Sequence, residues 1–212
     1  MTNFKEIVFN ELGYKLSDLQ LNQFKTYYEF LIEYNKNVNL TRITDLDEVC
    51  IKHFLDSILV INLLDFNKIN SLIDMGSGAG FPGIPLKILY PHLEVLLVDA
   101  RKKKLVFIDK LIEKLNLDKT TTLHARLEKL SFDKKYDLAT ARALTDLSTI
   151  SSYAYPIINS HGYIISYKSV SYEEELNEFN KLWANKLKIV KVDTKELPFG
   201  SGSRSNLLLQ KK

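Results

Sequence analysis

Two hydrophobic rhythms divide this chain near residue 70. Up to that point apolar positions recur at helical intervals. In "LSDLQLNQFKTYYEFLIEYNKNVNL" the residues Leu16, Leu19, Phe24, Tyr27, Tyr28, Leu31 and Tyr34 mark an amphipathic helix, with Ser17 or Asp18 at its start. "DLDEVCIKHFLDSILVINLL" continues the pattern at Leu46, Val49, Phe54, Ile58 and Ile61. No strand pattern interrupts this region, so residues 1–65 are expected to form an N-terminal extension of two or three helices.

From Ser71 the rhythm shortens. "SLIDM", "EVLLVDA", "TTTLHA", "YDLATARA" and "GYIISYK" are brief apolar or β-branched runs. They alternate with the helix-like stretches "PLKILYP", "RKKKLVFIDKLIEKLNL" and "LSTISSYAYPII". Alternation of this kind predicts a mostly parallel sheet covered on both faces, an α/β class fold. The last segment reads as a helix and two strands joined by a Gly/Ser/Pro loop, a C-terminal antiparallel hairpin. Residues 66–212 are therefore expected to form one compact unit.

The first strand runs into "DMGSGAGFPGIP", which holds four of the eight glycines in the chain. In a doubly wound sheet, ligands sit over this strand-to-helix turn, where glycines let them approach the backbone. Two cofactor patterns overlap here. Gly78-Ala-Gly80-Phe-Pro-Gly83 matches the dinucleotide fingerprint, whereas Asp74-Met-Gly76-Ser-Gly78-Ala-Gly80 has the first glycine two residues after the strand's acid. The second register favours a nucleoside sulfonium. In the first, Pro82 and Pro85 crowd the helix turn that must donate N–H groups to a pyrophosphate. Asp99 ends the second strand, at the distance of an acid that binds ribose hydroxyls in either case.

Composition narrows the setting. The chain has 212 residues, 45% hydrophobic and 26% charged, enough for a packed core. Its net charge of +3 is mild and carries little weight on its own. Cys50 is the sole cysteine, which excludes an intrachain disulfide and a cysteine-cluster metal site. The polar start "MTNFKEIVFN" lacks a secretory h-region, and no apolar run spans a bilayer, so a cytoplasmic protein without a membrane partner is expected.

The run "DMGSGAGFPGIPLKI", followed by "LLVDARKKKLVFI", resembles the RsmG family, also called GidB. So do "NVNLTRITDLDEVCIKHFLDSI" upstream and "DLATARAL" downstream, and the likeness extends from about Leu31 almost to the C-terminus. The resemblance implies a bacterial methyltransferase with a Rossmann-like sheet preceded by helices. It implies transfer from S-adenosyl-L-methionine to N7 of one guanine in 16S ribosomal RNA, guanine 527 in the 530-loop region. The partner is then 16S rRNA, the small subunit or its assembly intermediate, and a monomer is the default. The family's cofactor contacts fall on Gly76, Phe81, Leu127, Glu128 and Arg142. Gly78 and Gly80 join them through the loop, and Asp99 as the ribose ligand by general methyltransferase logic. One departure is Lys168-Ser169, where the family commonly has Lys-Gly. The competing readings are a methyltransferase for another RNA site or small molecule, and a non-catalytic nucleotide-binding protein using NAD.

The residues bear on the chemistry too. Pyrimidine C5 needs a covalent nucleophile, and Cys50, in a helical stretch, reads as a small buried residue instead. Enzymes acting on exocyclic amines carry an Asp/Asn-Pro-Pro-aromatic motif after the fourth strand, where this chain has "TARALTD". Guanine N7 presents a lone pair and needs positioning rather than a base. A bidentate arginine on O6 and N7 blocks the acceptor atom. Arg142, the candidate positioning residue, is thus expected to meet O6 alone, a phosphate, or the edge of the cofactor pocket. His53 and Asp56, three apart on one helix face, are assigned a structural role. His92, His124 and His161 are scattered and suggest no metal. Arg101, Lys102, Lys103, Lys168 and Arg204 are the candidate RNA contacts, and Phe81 is a candidate to stack against or shape the pocket.

Overall fold

The computed structural model describes residues 1–169 and 172–212. Its centre is a seven-stranded sheet in the order β3-β2-β1-β4-β5-β7-β6. The strands are β1 (Ser71–Met75), β2 (Glu94–Asp99), β3 (Thr120–His124), β4 (Tyr136–Arg142), β5 (Ile158–Lys168), β6 (Leu187–Glu196) and β7 (Ser203–Lys211). The first five pair in parallel, and β7 lies antiparallel between β5 and β6. The order reverses between β1 and β4, so the carboxyl ends of those strands open a crevice.

Alternation along the strands splits the core in two. Leu72, Val95 and Leu97 face one hydrophobic cluster, while Ile73, Met75 and Val98 face the other. The first cluster takes α1 (Thr2–Leu12), α2 (Asp18–Val38), α5 (Gly83–Leu89) and α6 (Lys102–Leu115). The second takes α7 (Leu147–Ala154) and α8 (Glu173–Trp183). The N-terminal helices thus share a core with the sheet.

Helix α2 starts at Ser17, whose hydroxyl accepts from the Gln20 amide while the Gln20 side chain accepts from the Ser17 amide. The buried stripe is Gln20, Phe24, Tyr27 and Leu31, and Leu19, expected on it, is exposed. Gln20 takes the inward place because its amide donates to the carbonyls of Ile88 and Leu89, which end α5 without intrahelical partners. The next segment, α3 (Leu46–Val49), widens into a π-helical stretch, Cys50–Leu55, before returning to helix as α4 (Asp56–Ile58). The five-residue step from Val49 to Phe54, both fully buried, is the spacing of that wider turn.

Asp74, fully buried in β1, ties strand to helix. Its Oδ1 accepts from Thr140 Oγ1 at 3.0 Å and its Oδ2 from the Gly83 amide at 3.1 Å. A Cβ on Gly83 lies 2.9 Å from that Oδ2, so any side chain forces the carboxylate off its donor. Gly83→Ala is therefore expected to cost about 2–3 kcal/mol of unfolding free energy by denaturant titration, the penalty of loosening a buried hydrogen-bonded carboxylate. An unchanged midpoint contradicts this.

Candidate active site

The crevice contains two connected parts. The donor side is a cleft of about 450 Å³ lined by Gly76, Asp99, Arg101, Leu127, Glu128 and Tyr153, among others. A recess of about 260 Å³ adjoins it at Gly76 and Ala143, bounded by Thr41, His53, Gly78 and Phe81. The acceptor side is a cleft of about 600 Å³ between Lys52, Asp56, Tyr167 and Arg204. All three meet at Ala143, whose φ of +51° turns the chain sharply out of β4.

The glycine loop is wired internally. The Val98 carbonyl accepts from the amides of Gly76 and Ser77, and the Ser77 carbonyl from Gly80 and Phe81. Asp99 accepts from the Gly78 amide at 2.9 Å and the Arg101 amide at 2.8 Å. The Gly83 amide serves Asp74 and that of Ile84 serves Gly80. Pro82 and Pro85 have no amide hydrogen. These amides are already committed, so they do not form a phosphate cradle. What the loop offers is bare surface: at Gly76 a Cβ meets Leu144 Cδ1 at 2.8 Å, and φ is +77°. A phosphate-free nucleoside beside an acid and a bare backbone fits this geometry, and S-adenosylmethionine is such a ligand.

Helices build the opposite wall. Tyr27 Oη donates to the Ala79 carbonyl at 2.6 Å, and the Tyr27 ring stacks on Phe81 at 5.2 Å. His53 stacks on Phe81 at 4.7 Å. Phe81 is 6% exposed, so it shapes the recess and has no free face to stack a substrate base. His53 Nε2 bonds to Thr41 Oγ1 at 2.8 Å, not to Asp56. Burial first, and then the Arg142 charge, pull its pKa from 6.5 down to about 4, so the ring is neutral at pH 7.

Arg142, at the end of β4, is part-buried and centres the junction. Its Nη1 donates to Asp56 Oδ2 at 3.0 Å and reaches the carbonyls of His53 and Lys52 at 3.4 and 3.5 Å. The guanidinium carbon lies 5.0 Å from the Phe81 ring centroid. Arg204 Nε approaches the other Asp56 oxygen at 3.2 Å.

The expected RNA contacts separate. Lys102 and Lys103 are exposed on α6, and Arg101 lines the donor cleft. Lys168 is not a free cation: its ammonium pairs with Glu175 at 2.7 Å and donates to the Thr145 carbonyl at 2.6 Å. Glu175 in turn accepts from the Leu147 amide, so this pair braces the loop after β4. Arg204 is engaged with Asp56. Lys104, absent from the expected site, lines both donor-side cavities. It stands one helical turn from Arg101, the only sequence signal that places it there. Thr41 reaches the recess by tertiary folding alone.

The family model for GidB, described as rRNA small subunit methyltransferase G, matches residues 20–203. The chain belongs to the GidB family. It is 42% identical over 200 residues to ribosomal RNA small subunit methyltransferase G of Aster yellows witches'-broom phytoplasma, covering 93% of this chain and 94% of that one. The Acholeplasma laidlawii protein of the same name is 42% identical over 211 residues, covering 96% and 90%. Similar solved structures share the fold at low identity. The ribosomal protein L11 methylase of Lactobacillus delbrueckii subsp. bulgaricus has TM-score 0.60 and 18% identity over 76% of this chain and 79% of that one. The TYW2 of M. jannaschii in complex with AdoMet has TM-score 0.52 and 14% identity over 68% of each. This GidB member is a methyltransferase that uses S-adenosylmethionine, and the family's description carries the substrate class, small-subunit rRNA.

Asp74 and the part-buried His53 oppose each other in pH. Burial raises Asp74 from 3.8 to about 6, so the native state alone takes up that proton as pH falls towards 4, which stabilises it. For His53 the unfolded chain takes up the proton below 6.5 while the native ring resists until about 4, which destabilises the fold on acidification. His53→Gln removes only the second effect. The stability advantage of the parent over the variant is therefore expected to shrink by about 3 kcal/mol between pH 7 and pH 4. A pH-independent difference in denaturant unfolding contradicts this.

Proposed function

We propose that the chain methylates N7 of a guanine in bacterial 16S rRNA, with guanine 527 of the 530-loop region as the target implied by family resemblance. The observation that carries this is the acceptor cleft's lack of a poised base or nucleophile among the described residues that line it. His53 is held neutral with Nε2 occupied by Thr41. Asp56 faces two arginines, and Lys168 is paired. Cys50 lines a different cavity beside Met1 and Phe199, and burial pushes its thiol up to about 12. A pyrimidine C5 or an amine has to shed a proton, whereas N7 attacks with its lone pair and sheds none.

S-adenosylmethionine supplies an electrophilic methyl on sulfur. As N7 forms its bond to that carbon, the carbon–sulfur bond breaks and sulfur keeps the electron pair. The single positive charge passes to the base, so the site needs alignment and exclusion of water more than new counter-charge. Gly76, Gly78 and Gly80 would present the loop surface, Asp99 the ribose acceptor, and Leu127 and Glu128 the outer wall of the donor cleft. Phe81 and Arg142 would close the seam towards the acceptor. Arg101, Lys102, Lys103 and Arg204 would meet RNA, with binding that weakens steeply with salt. We place the protein in the cytoplasm as a monomer acting on the small subunit or its assembly intermediate.

Labelled methyl transfer to 16S RNA, offered naked, in partial assemblies and as mature subunits, tests the proposal. Cleavage specific for 7-methylguanine followed by reverse transcription is expected to stop at one guanine. Label confined to an exocyclic amine overturns it.

A further inference from the structure

Asp56 is the most buried acid of the acceptor cleft, and one of its oxygens is badly served. Oδ2 has a good hydrogen bond from Arg142. Among the described residues, Oδ1 is sealed from solvent and accepts no hydrogen bond, because the nearby Arg204 N–H is not aimed at it. A buried carboxylate oxygen without a donor is costly in a free enzyme, which marks it as an acceptor kept for a ligand. The group covering it is the Arg204 side chain. Arg204 is the second residue of β7, after a loop carrying Gly200 and Gly202 at φ +65° and +90°, and its side chain is a quarter exposed.

We infer that Asp56 reads the target base, accepting N1–H and the N2 amino group of guanine, and that Arg204 is the latch the base displaces. This rests on the guanine-N7 reading above and gives that site its source of specificity. Guanine alone among the RNA bases presents two adjacent donors, at N1 and N2, that match a carboxylate. N7 lies across the ring from that edge, so a base held there leaves N7 free for the donor cleft. Reading by arginine at O6 and N7 has the opposite result. The charge also balances. Asp56 keeps Arg142, exchanges Arg204 for two neutral donors, and Arg204 becomes available to an RNA phosphate.

Small-subunit RNA carrying guanine, inosine or 1-methylguanine at the target position separates the possibilities. Inosine lacks the N2 amino group and 1-methylguanine lacks N1–H, while both keep N7. With the wild-type chain, kcat/KM is expected to fall at least about ten-fold for each analogue, as when a site built for a hydrogen bond loses its partner. Equal transfer to guanine and inosine overturns the inference without any variant. In Asp56→Asn, the guanine-to-inosine ratio is expected to collapse to within about three-fold, whereas Arg204→Ala keeps the wild-type ratio while losing salt-sensitive RNA affinity. An Asp56 that only holds Arg142 in place lowers transfer to all three bases alike and leaves the ratio intact, which also overturns the inference. If Asp56→Asn does not fold, the wild-type analogue series and Arg204→Ala decide. No N7 methylation of guanine itself by the wild type is a separate failure, that of the guanine-N7 reading.

Discussion

A largely desolvated cation at the end of β4 sets the arrangement of this site. Arg142 cannot be neutralised by losing its proton, so its surroundings must answer its charge. They do so from the N-terminal layer: Asp56 supplies the counter-charge, and the π-helical stretch presents the carbonyls of Lys52 and His53. One interaction therefore fixes the helical segment to the sheet and holds apart the two clefts that open on either side of Ala143. The wider helical turn is the local device that aims those groups at the strand end.

The glycine loop depends on the same layer. Tyr27 holds the Ala79 carbonyl and backs Phe81, and Phe81 in turn backs His53 and Arg142. The amides of Gly76, Ser77, Gly78, Gly80, Phe81 and Gly83 are spent on Val98, Ser77, Asp99 and Asp74, so the loop's shape is set by hydrogen bonds within the protein. Removing the N-terminal helices from such a protein removes one wall of its donor recess.

The mostly parallel sheet with its C-terminal hairpin was legible because short β-branched runs alternate with helical stretches, whereas the strand order was not, and the loop register after Asp74 marked the turn beside which the cleft at Gly76 opens. The π-helical stretch left a trace in the step from Val49 to Phe54, but only against the expectation of even helical spacing. Leu19 and Gln20 exchanged places because the need to satisfy the carbonyls ending α5 outweighed hydropathy, and that need is tertiary. Lys168 looked like a free cation because its partner Glu175 lies beyond a loop, on another element. The meeting of Arg142, Asp56 and Arg204 joins three distant stretches of chain, and no local pattern announces it.

The central claim is that the Arg142–Asp56 pair is one unit joining helices to sheet, and a double-mutant cycle in unfolding free energy measures it. Arg142→Met and Asp56→Asn are each expected to cost about 3–5 kcal/mol, because each strands a buried charge or its donors. The double variant is expected to lose less than the sum by at least about 2 kcal/mol. Losses that simply add would mean that the two residues stabilise the fold independently, and would contradict the account.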